Sequence, residues 1–224
     1  MAAASMHGPK RAKPGRQAKG ADFLARNPPA LEHIAGKRVG IIGLGGLGSN
    51  IAMMLARAGL TSFRLADFDT VSVENLNRQH YFSTHVGQAK TEALASQLEG
   101  LNPGIELELW PIRIEEKNLD TFTQGCCVLV EAVDDAATKA MIYAWFTQEK
   151  RALWLVTASG LGGLEPANTI RTMHLGEKVI ACGDFETSSE NGNGVCAPRV
   201  MLVAAHQALA VLRILAEIES EAQA

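Results

Sequence analysis

At 224 residues the chain has enough length for one substantial domain with a tail and too little for two full ones. Hydrophobic residues make up 47% and charged residues 20%, the balance of a globular protein rather than a disordered or fibrous one. The net charge of −3 conceals an asymmetry: the first twenty residues carry Lys10, Arg11, Lys13, Arg16 and Lys19 and no acid, so removing those five positive charges leaves −8 on the rest. A body that acidic is a poor surface for nucleic acid, whose phosphates are held by clustered cations.

Residues 1–21 mix those charges with Gly8, Pro9, Pro14, Gly15 and Gly20 and lack the apolar run of a secretory signal, which predicts a disordered basic arm. Residues 22–35 form an N-terminal segment, and 36–224 the main domain. No window offers the ~18 uncharged apolar residues of a membrane span, because His206, Gln207 and Arg213 interrupt the C-terminal apolar run. A cytoplasmic protein without a membrane partner is expected. The cysteines Cys126, Cys127, Cys182 and Cys196 contain no C-x-x-C pair, so neither zinc nor a disulfide framework is expected.

Apolar runs then alternate with helical patterns, as in repeated βα units around a parallel sheet. Arg38 to Ile42 reads as a buried strand, Leu47 to Ala58 as a helix, Ser62 to Ala66 as a strand and Gly87 to Leu101 as a helix. Ile105 to Ile112 and Cys127 to Val130 read as strands, the latter with both cysteines in the core. Ala136 to Lys150 reads as a helix and Ala152 to Ala158 as a strand. Thr169 to Met173 and Lys178 to Ala181, joined by a turn around Gly176, suggest an antiparallel extension at the sheet edge. A polar loop, Gly183 to Val195, leads through Pro198 into an apolar helix from Arg199 to about Ala216, expected to be buried on most sides within the core or at a dimer interface. The fold class is α/β, a Rossmann-like doubly wound and mostly parallel sheet.

Directly after the first strand, Gly43-Leu44-Gly45-Gly46-Leu47-Gly48 fits G-x-G-x-x-G in the strand-to-helix context that gives the pattern meaning. Glycines there let the backbone approach a phosphate, and the helix N-terminus adds free N–H donors and partial positive charge. Asp67, ending the second strand, could grip ribose hydroxyls, so a non-catalytic dinucleotide-binding module is one reading. The stretch from Asp67 through Asp69 and Asn75 to Arg78 and Gln79, with Lys90 after it, favours another. A triphosphate needs several cations and a metal, and Asp134, after the fourth main strand, is a candidate Mg²⁺ ligand. The set reads as ATP with Mg²⁺.

The glycine loop, D-x-D-x-V-x-x-x-N-L-x-R-Q from Asp67 to Gln79, the G-Q-x-K from Gly87 to Lys90 and the later Asp134 resemble the ThiF/MoeB/HesA adenylyltransferases, relatives of ubiquitin-activating enzymes. The resemblance runs from roughly Ala35 to Glu219. It implies that Asp67 binds the ATP ribose, that Asn75, Arg78 and Lys90 bind the phosphates and that Asp134 binds magnesium. Family members typically carry Asn where this chain has Asp135, and the paired C-x-x-C motifs of many members are absent. With the segment Gly183 to Val200, the chain is most similar to the shorter thiamine-branch ThiF proteins.

That resemblance implies adenylation of the C-terminal glycine of a ubiquitin-like sulfur-carrier protein by a homodimer, with Arg26 as the candidate arginine that completes a partner subunit's site. Arg78, Lys90 and Mg²⁺ suit a reaction driven by positioning and charge neutralisation. Cys182 and Cys196 bracket the polar loop and are candidates for sulfur transfer; burial as small apolar side chains is the competing reading. His206, on an apolar helix, reads as packing. Two rivals remain within this frame: activation of a carboxylate on a modified tRNA base, and a scaffold that only docks a carrier.

Overall fold

The computed structural model describes residues 24–149, 151–188 and 193–217. The predicted arm at 1–21, and part of the loop at 183–195, lie outside them. Seven strands form one sheet among the described residues: β1 (Arg38–Ile42), β2 (Ser62–Ala66), β3 (Glu106–Trp110), β4 (Val128–Glu131), β5 (Trp154–Ala158), β6 (Arg171–Gly176) and β7 (Val179–Gly183). Their order is β3-β2-β1-β4-β5-β7-β6, and only the β6–β7 pair is antiparallel. The helices are α1 (Gly46–Arg57), α2 (Lys90–Leu101), α3 (Glu116–Thr123), α4 (Ala136–Gln148) and α5 (Ala197–Leu215). This is the doubly wound α/β sheet with an antiparallel edge that the alternation predicts.

Alternation of side chains along the strands builds two apolar layers. Val39 and Ile41 of β1 and Val128 and Val130 of β4 face one side, with Leu47, Ile51 and Leu55 of α1, Leu94 and Leu98 of α2 and Val203 and Val211 of α5. Ile42 and Leu129 face the other, with Leu119 and Phe122 of α3 and Ile142, Trp145 and Phe146 of α4. Burial on both faces is why the central strands read as continuous apolar runs.

Several boundaries move. α2 starts at Lys90 because the chain turns at Gly87 (φ 87°) and pairs back on Val71, whose N–H donates to Gln88 O at 2.9 Å. β6 continues through Gly176, with an irregular register between His174 and Gly176, so the turn falls at Glu177 and Lys178 rather than around Gly176. α3 was not anticipated: only Leu119 and Phe122 mark its apolar face, and a reciprocal cap in which Glu115 N–H donates to Asn118 Oδ1 at 2.9 Å starts it. Cys127 is exposed and Cys126 only half-buried, correcting their assignment to the core: the strand begins one residue later, at Val128.

α5 is buried along a stripe of Val200, Val203, Ala204, Gln207, Ala208 and Val211, while Met201 and Leu209 stand exposed on its outer side. By length and composition it is apolar enough to cross a membrane, contrary to the expectation from its interruptions; here half of it is buried within the fold, against α1 and the sheet. The N-terminal segment folds onto the far end of α1, where Asn27 Nδ2 donates to Ala58 O at 2.9 Å and Ile34 is fully buried.

Candidate functional site

The strand order reverses between β1 and β4, and the C-terminal ends of the parallel strands open there into a cavity of about 730 Å³, the place where such sheets bind ligands. Its wall includes Gly43, Gly45, Gly46, Asp67, Asp69, Arg78, Gln79, Lys90 and Asp134, residues that lie up to 91 positions apart in sequence, from 43 to 134. Asn75 and Gly48, also expected at the nucleotide site, do not line it.

The glycine turn is dictated by close approach. Gly43 has φ 87°, and a Cβ there would lie 2.7 Å from Ala132 O of the neighbouring strand end. A Cβ on Gly48 would overlap Gly43 O, so this glycine seats α1 against β1. Gly45 faces only the Gln79 amide nitrogen, 3.7 Å from its hypothetical Cβ, and therefore leaves the cavity open.

Asp67 is buried and holds the turn in place: Leu44 N–H donates to its Oδ2 at 2.7 Å and Asp69 N–H to its Oδ1 at 2.8 Å. Burial raises its pKa, and the positive charge of Lys90 and these two N–H groups oppose that rise. Lys90 Nζ bonds Asp69 Oδ2 at 2.9 Å and lies 3.8 Å from Asp67 Oδ2, with its own side chain buried. Arg78 stays within its turn, donating to Glu74 O at 3.2 Å and Asn77 Oδ1 at 2.7 Å. Asn75 accepts Ser72 N–H at 3.0 Å, a capping bond that shapes the turn carrying Arg78. Gln79 is buried and its Oε1 has no hydrogen-bond partner among the described residues.

Asp134 stands exposed just beyond β4, whereas the adjacent Asp135 caps α4 by accepting Thr138 N–H at 2.7 Å. Mg²⁺ commonly takes one or two protein carboxylates and completes its shell with phosphate oxygens and water. The exposed Asp134 carboxylate in the cavity wall fits that habit, and no group of three or more His, Cys, Asp or Glu side chains gathers among the described residues to form an all-protein cage.

Other predicted residues lie elsewhere. Arg26 is exposed beside the segment packed on the end of α1, about 18 Å of helix from the glycine turn. Cys182 is fully buried in β7 and burial pushes its thiol up to about 11, which removes the exposure expected of a nucleophile. Cys196 is half-buried before α5, with Sγ 3.7 Å from Gly163 O. His206 Nδ1 lies 2.9 Å from Thr172 Oγ1, consistent with packing.

Residues that sequence reading passed over support the site. Asn50 Nδ2 donates to Gly46 O at 2.7 Å and Arg78 O at 3.0 Å, and Ser49 Oγ accepts His80 N–H at 2.9 Å, lacing the Arg78 turn to α1. Tyr81 donates to Leu44 O at 2.8 Å, its phenol held well above its usual range by burial and by Asp67. Lys139, in the cavity wall, pairs with the buried Glu131 at 2.8 Å. Arg113 stacks over Phe68 with 3.9 Å to the ring centre at the rim. Polar residues on the buried face of α1 were the available signal for Ser49 and Asn50; the others depend on contacts between distant elements.

Fold and cavity define a doubly wound α/β protein with an open switch-point site. Residues 16–224 match the ThiF family, and the chain belongs to that family. It is 31% identical over 194 residues to ubiquitin-like modifier-activating enzyme 5 of Caenorhabditis elegans, covering 78% of this chain and 46% of that protein. It is 30% identical over 166 residues to the tRNA threonylcarbamoyladenosine dehydratase of Escherichia coli, covering 73% and 61%. Molybdopterin-synthase adenylyltransferase of Salmonella typhimurium is 29% identical over 195 residues, with 83% and 75% covered. The chain thus spans about half to three-fifths of the length of the first two. A crystal structure of the E. coli dehydratase has the same fold, with a TM-score of 0.75 over 84% of this chain and 89% of that one at 23% identity.

Proposed function

We propose that the protein is an ATP-dependent adenylyltransferase that activates the C-terminal glycine carboxylate of a ubiquitin-like carrier, in the first place a sulfur carrier of the thiamine branch. The observation that carries this reading is the meeting of the glycine turn, Arg78, Lys90 and Asp134 in one cavity at the switch point. Family membership and the similarity to an adenylyltransferase and to a ubiquitin-like modifier-activating enzyme support it.

In this reading Asp67 and Asp69 hold the ribose end, and the glycine turn, Asn75, Arg78, Gln79 and Lys90 form the phosphate side. The acceptor carboxylate attacks the α-phosphorus, a P–O bond to the β-phosphate breaks, and pyrophosphate leaves. Lys90 exchanges its bond to the half-exposed Asp69 for phosphate oxygen, and Arg78, tied only to its own turn, swings in without disturbing the core. Asp134 would hold Mg²⁺, whose chemistry is neutralisation of the triphosphate. Positioning and fixed charge account for the acceleration, since no covalent intermediate is needed. Assembly as a homodimer belongs to the same reading, because Arg26 lies far from its own chain's cavity and could serve only another copy's.

A second reading is activation of a carboxylate on a modified tRNA base, favoured by the 30% identity to the tRNA dehydratase and opposed by the acidic body of the chain. ATP–pyrophosphate exchange distinguishes them. Exchange that depends on purified Gly-Gly-ending carriers supports the first; exchange that depends on threonylcarbamoyladenosine-containing tRNA and ignores carriers supports the second. ATP that fails to bind, with NAD binding tightly, would sink both.

A further inference from the structure

The two sides of the cavity differ in chemistry. The side built from the ends of β1, β2 and β3 carries Asp67, Asp69, Arg78, Lys90 and Arg113. The side built from the ends of β5 and β7 and the approach to α5 presents, among the described residues, Ser159, Gly160, Leu161, Thr187, Ser188 and Val195, none of them ionisable; the nearest charge in the lining is Lys139, which is held by Glu131 and donates to Ala158 O at the end of β5 at 3.1 Å. A charged nucleotide suits the first. An uncharged, narrow glycine tail, which brings only backbone N–H and C=O groups before its carboxylate, suits the second.

One buried ion pair organises that neutral side. Asp184, just after β7, and Arg199, in the first turn of α5, are both nearly inaccessible and directly paired. Arg199 Nε donates to Gly162 O at 2.9 Å and its Nη1 to Glu165 O at 2.8 Å, so the same guanidinium grips the loop that follows β5. Asp184 Oδ1 accepts the N–H groups of Glu186 at 2.9 Å and Thr187 at 2.8 Å, and its Oδ2 accepts the Thr187 hydroxyl at 2.7 Å. Thr187 Oγ1 in turn accepts Gly162 N–H at 3.0 Å. The two loops are pressed together: a Cβ on Gly160 would overlap Asp184 Oδ1, and one on Gly183 would overlap Ser159 O.

Neither Asp184 nor Arg199 lines the cavity, and neither reaches the nucleotide side. A buried charge pair of this kind stabilises little for its desolvation, but it fixes geometry where each charge is fully hydrogen-bonded. We propose that Asp184 and Arg199 are positioning residues that shape the acceptor side of the cavity for a glycine-rich peptide tail, independently of ATP. The inference rests on the adenylyltransferase reading and extends it by dividing the site into a nucleotide wall and an acceptor wall.

The test compares wild type, Arg199→Gln and Thr187→Val in ATP–pyrophosphate exchange with a purified Gly-Gly-ending carrier, together with calorimetric titration of ATP. Thr187→Val removes one hydroxyl of the same network and serves if Arg199→Gln does not fold. The expected result is a KM for the carrier raised about tenfold or more, with KM and Kd for ATP within about twofold of wild type. Carrier KM unchanged in a folded variant, or carrier and ATP constants rising together, overturns the division. Wild-type protein that binds ATP but exchanges with no carrier overturns the adenylyltransferase reading and this inference with it, an outcome visible before any variant is made.

Discussion

Lys90 Nζ lies between two carboxylates, 2.9 Å from Asp69 Oδ2 and 3.8 Å from Asp67 Oδ2, and only the Asp69 side chain is half-exposed. Lys90→Ala therefore removes a charge proposed to face the phosphates and also leaves the buried Asp67 without its cation. Exchange should fall by roughly 10²–10³, the cost of losing one preorganised charge-stabilising donor. Stability should fall as well, by about 1–3 kcal/mol. Arg78→Ala should lower exchange similarly with the melting temperature unmoved, because among the described residues the Arg78 side chain bonds Glu74 O and Asn77, both within its own turn. Exchange intact in both variants would remove these residues from the reaction.

The glycines divide in the same way. Gly48→Ala should destabilise the fold strongly, since its Cβ overlaps Gly43 O in the backbone of the turn. Gly45→Ala should fold normally and bind ATP more weakly, because its Cβ meets nothing closer than the Gln79 amide at 3.7 Å and enters the cavity wall. Denaturant melts and calorimetry on the two variants read these outcomes separately.

Asp134→Asn tests the metal. The Mg²⁺ concentration for half-maximal exchange should rise by at least about tenfold, the least that loss of even an outer-shell partner costs a metal site. The fold should be untouched, as the side chain is exposed beyond the strand end. An unchanged Mg²⁺ requirement places the ion elsewhere.

Cysteine reactivity should follow burial. With its thiol near 11, Cys182 is protonated at pH 8 and should resist iodoacetamide in the native protein, as should Cys126, also pushed to about 11 by burial; the exposed Cys127 should label first. Peptide mass spectrometry reads the order. Cys182→Ser and Cys196→Ser should both retain adenylation, because a carboxylate attacking ATP needs no thiol. Loss of exchange in either folded variant contradicts this.

Acid should loosen the Asp184 network. Burial alone would raise this carboxyl, but hydrogen bonds from Thr187, Glu186 and Arg199 outweigh it and bring it from 3.8 to about 2. A depressed folded pKa contributes stability that is present above the unfolded value and is lost as pH falls through the folded one. On the order of 2 kcal/mol should thus disappear between about pH 4 and pH 2, and the loss should be absent in Asp184→Asn when chemical melts are compared across that window.

The sequence alone determined the alternating strands and helices, because Val39, Ile41, Val128 and Val130 are apolar on strands buried from both faces. It also determined the glycine turn and the chain of polar residues from Asp67 to Lys90, because a glycine turn and its flanking charges are local chemistry written in consecutive positions. Only the tertiary structure decided which side chains share the cavity. The strand order sets Ala132 against Gly43 and so brings Asp134 into the same cavity wall, and the pairing of Val71 with Gly87 and Gln88 carries Lys90 back to Asp69. It decided too that Cys182 is sealed in β7 and that Asp184 meets Arg199 across 15 positions of chain. Burial and charge pairing are properties of packed neighbours, and neighbours that come from separate elements leave no period or spacing in the sequence.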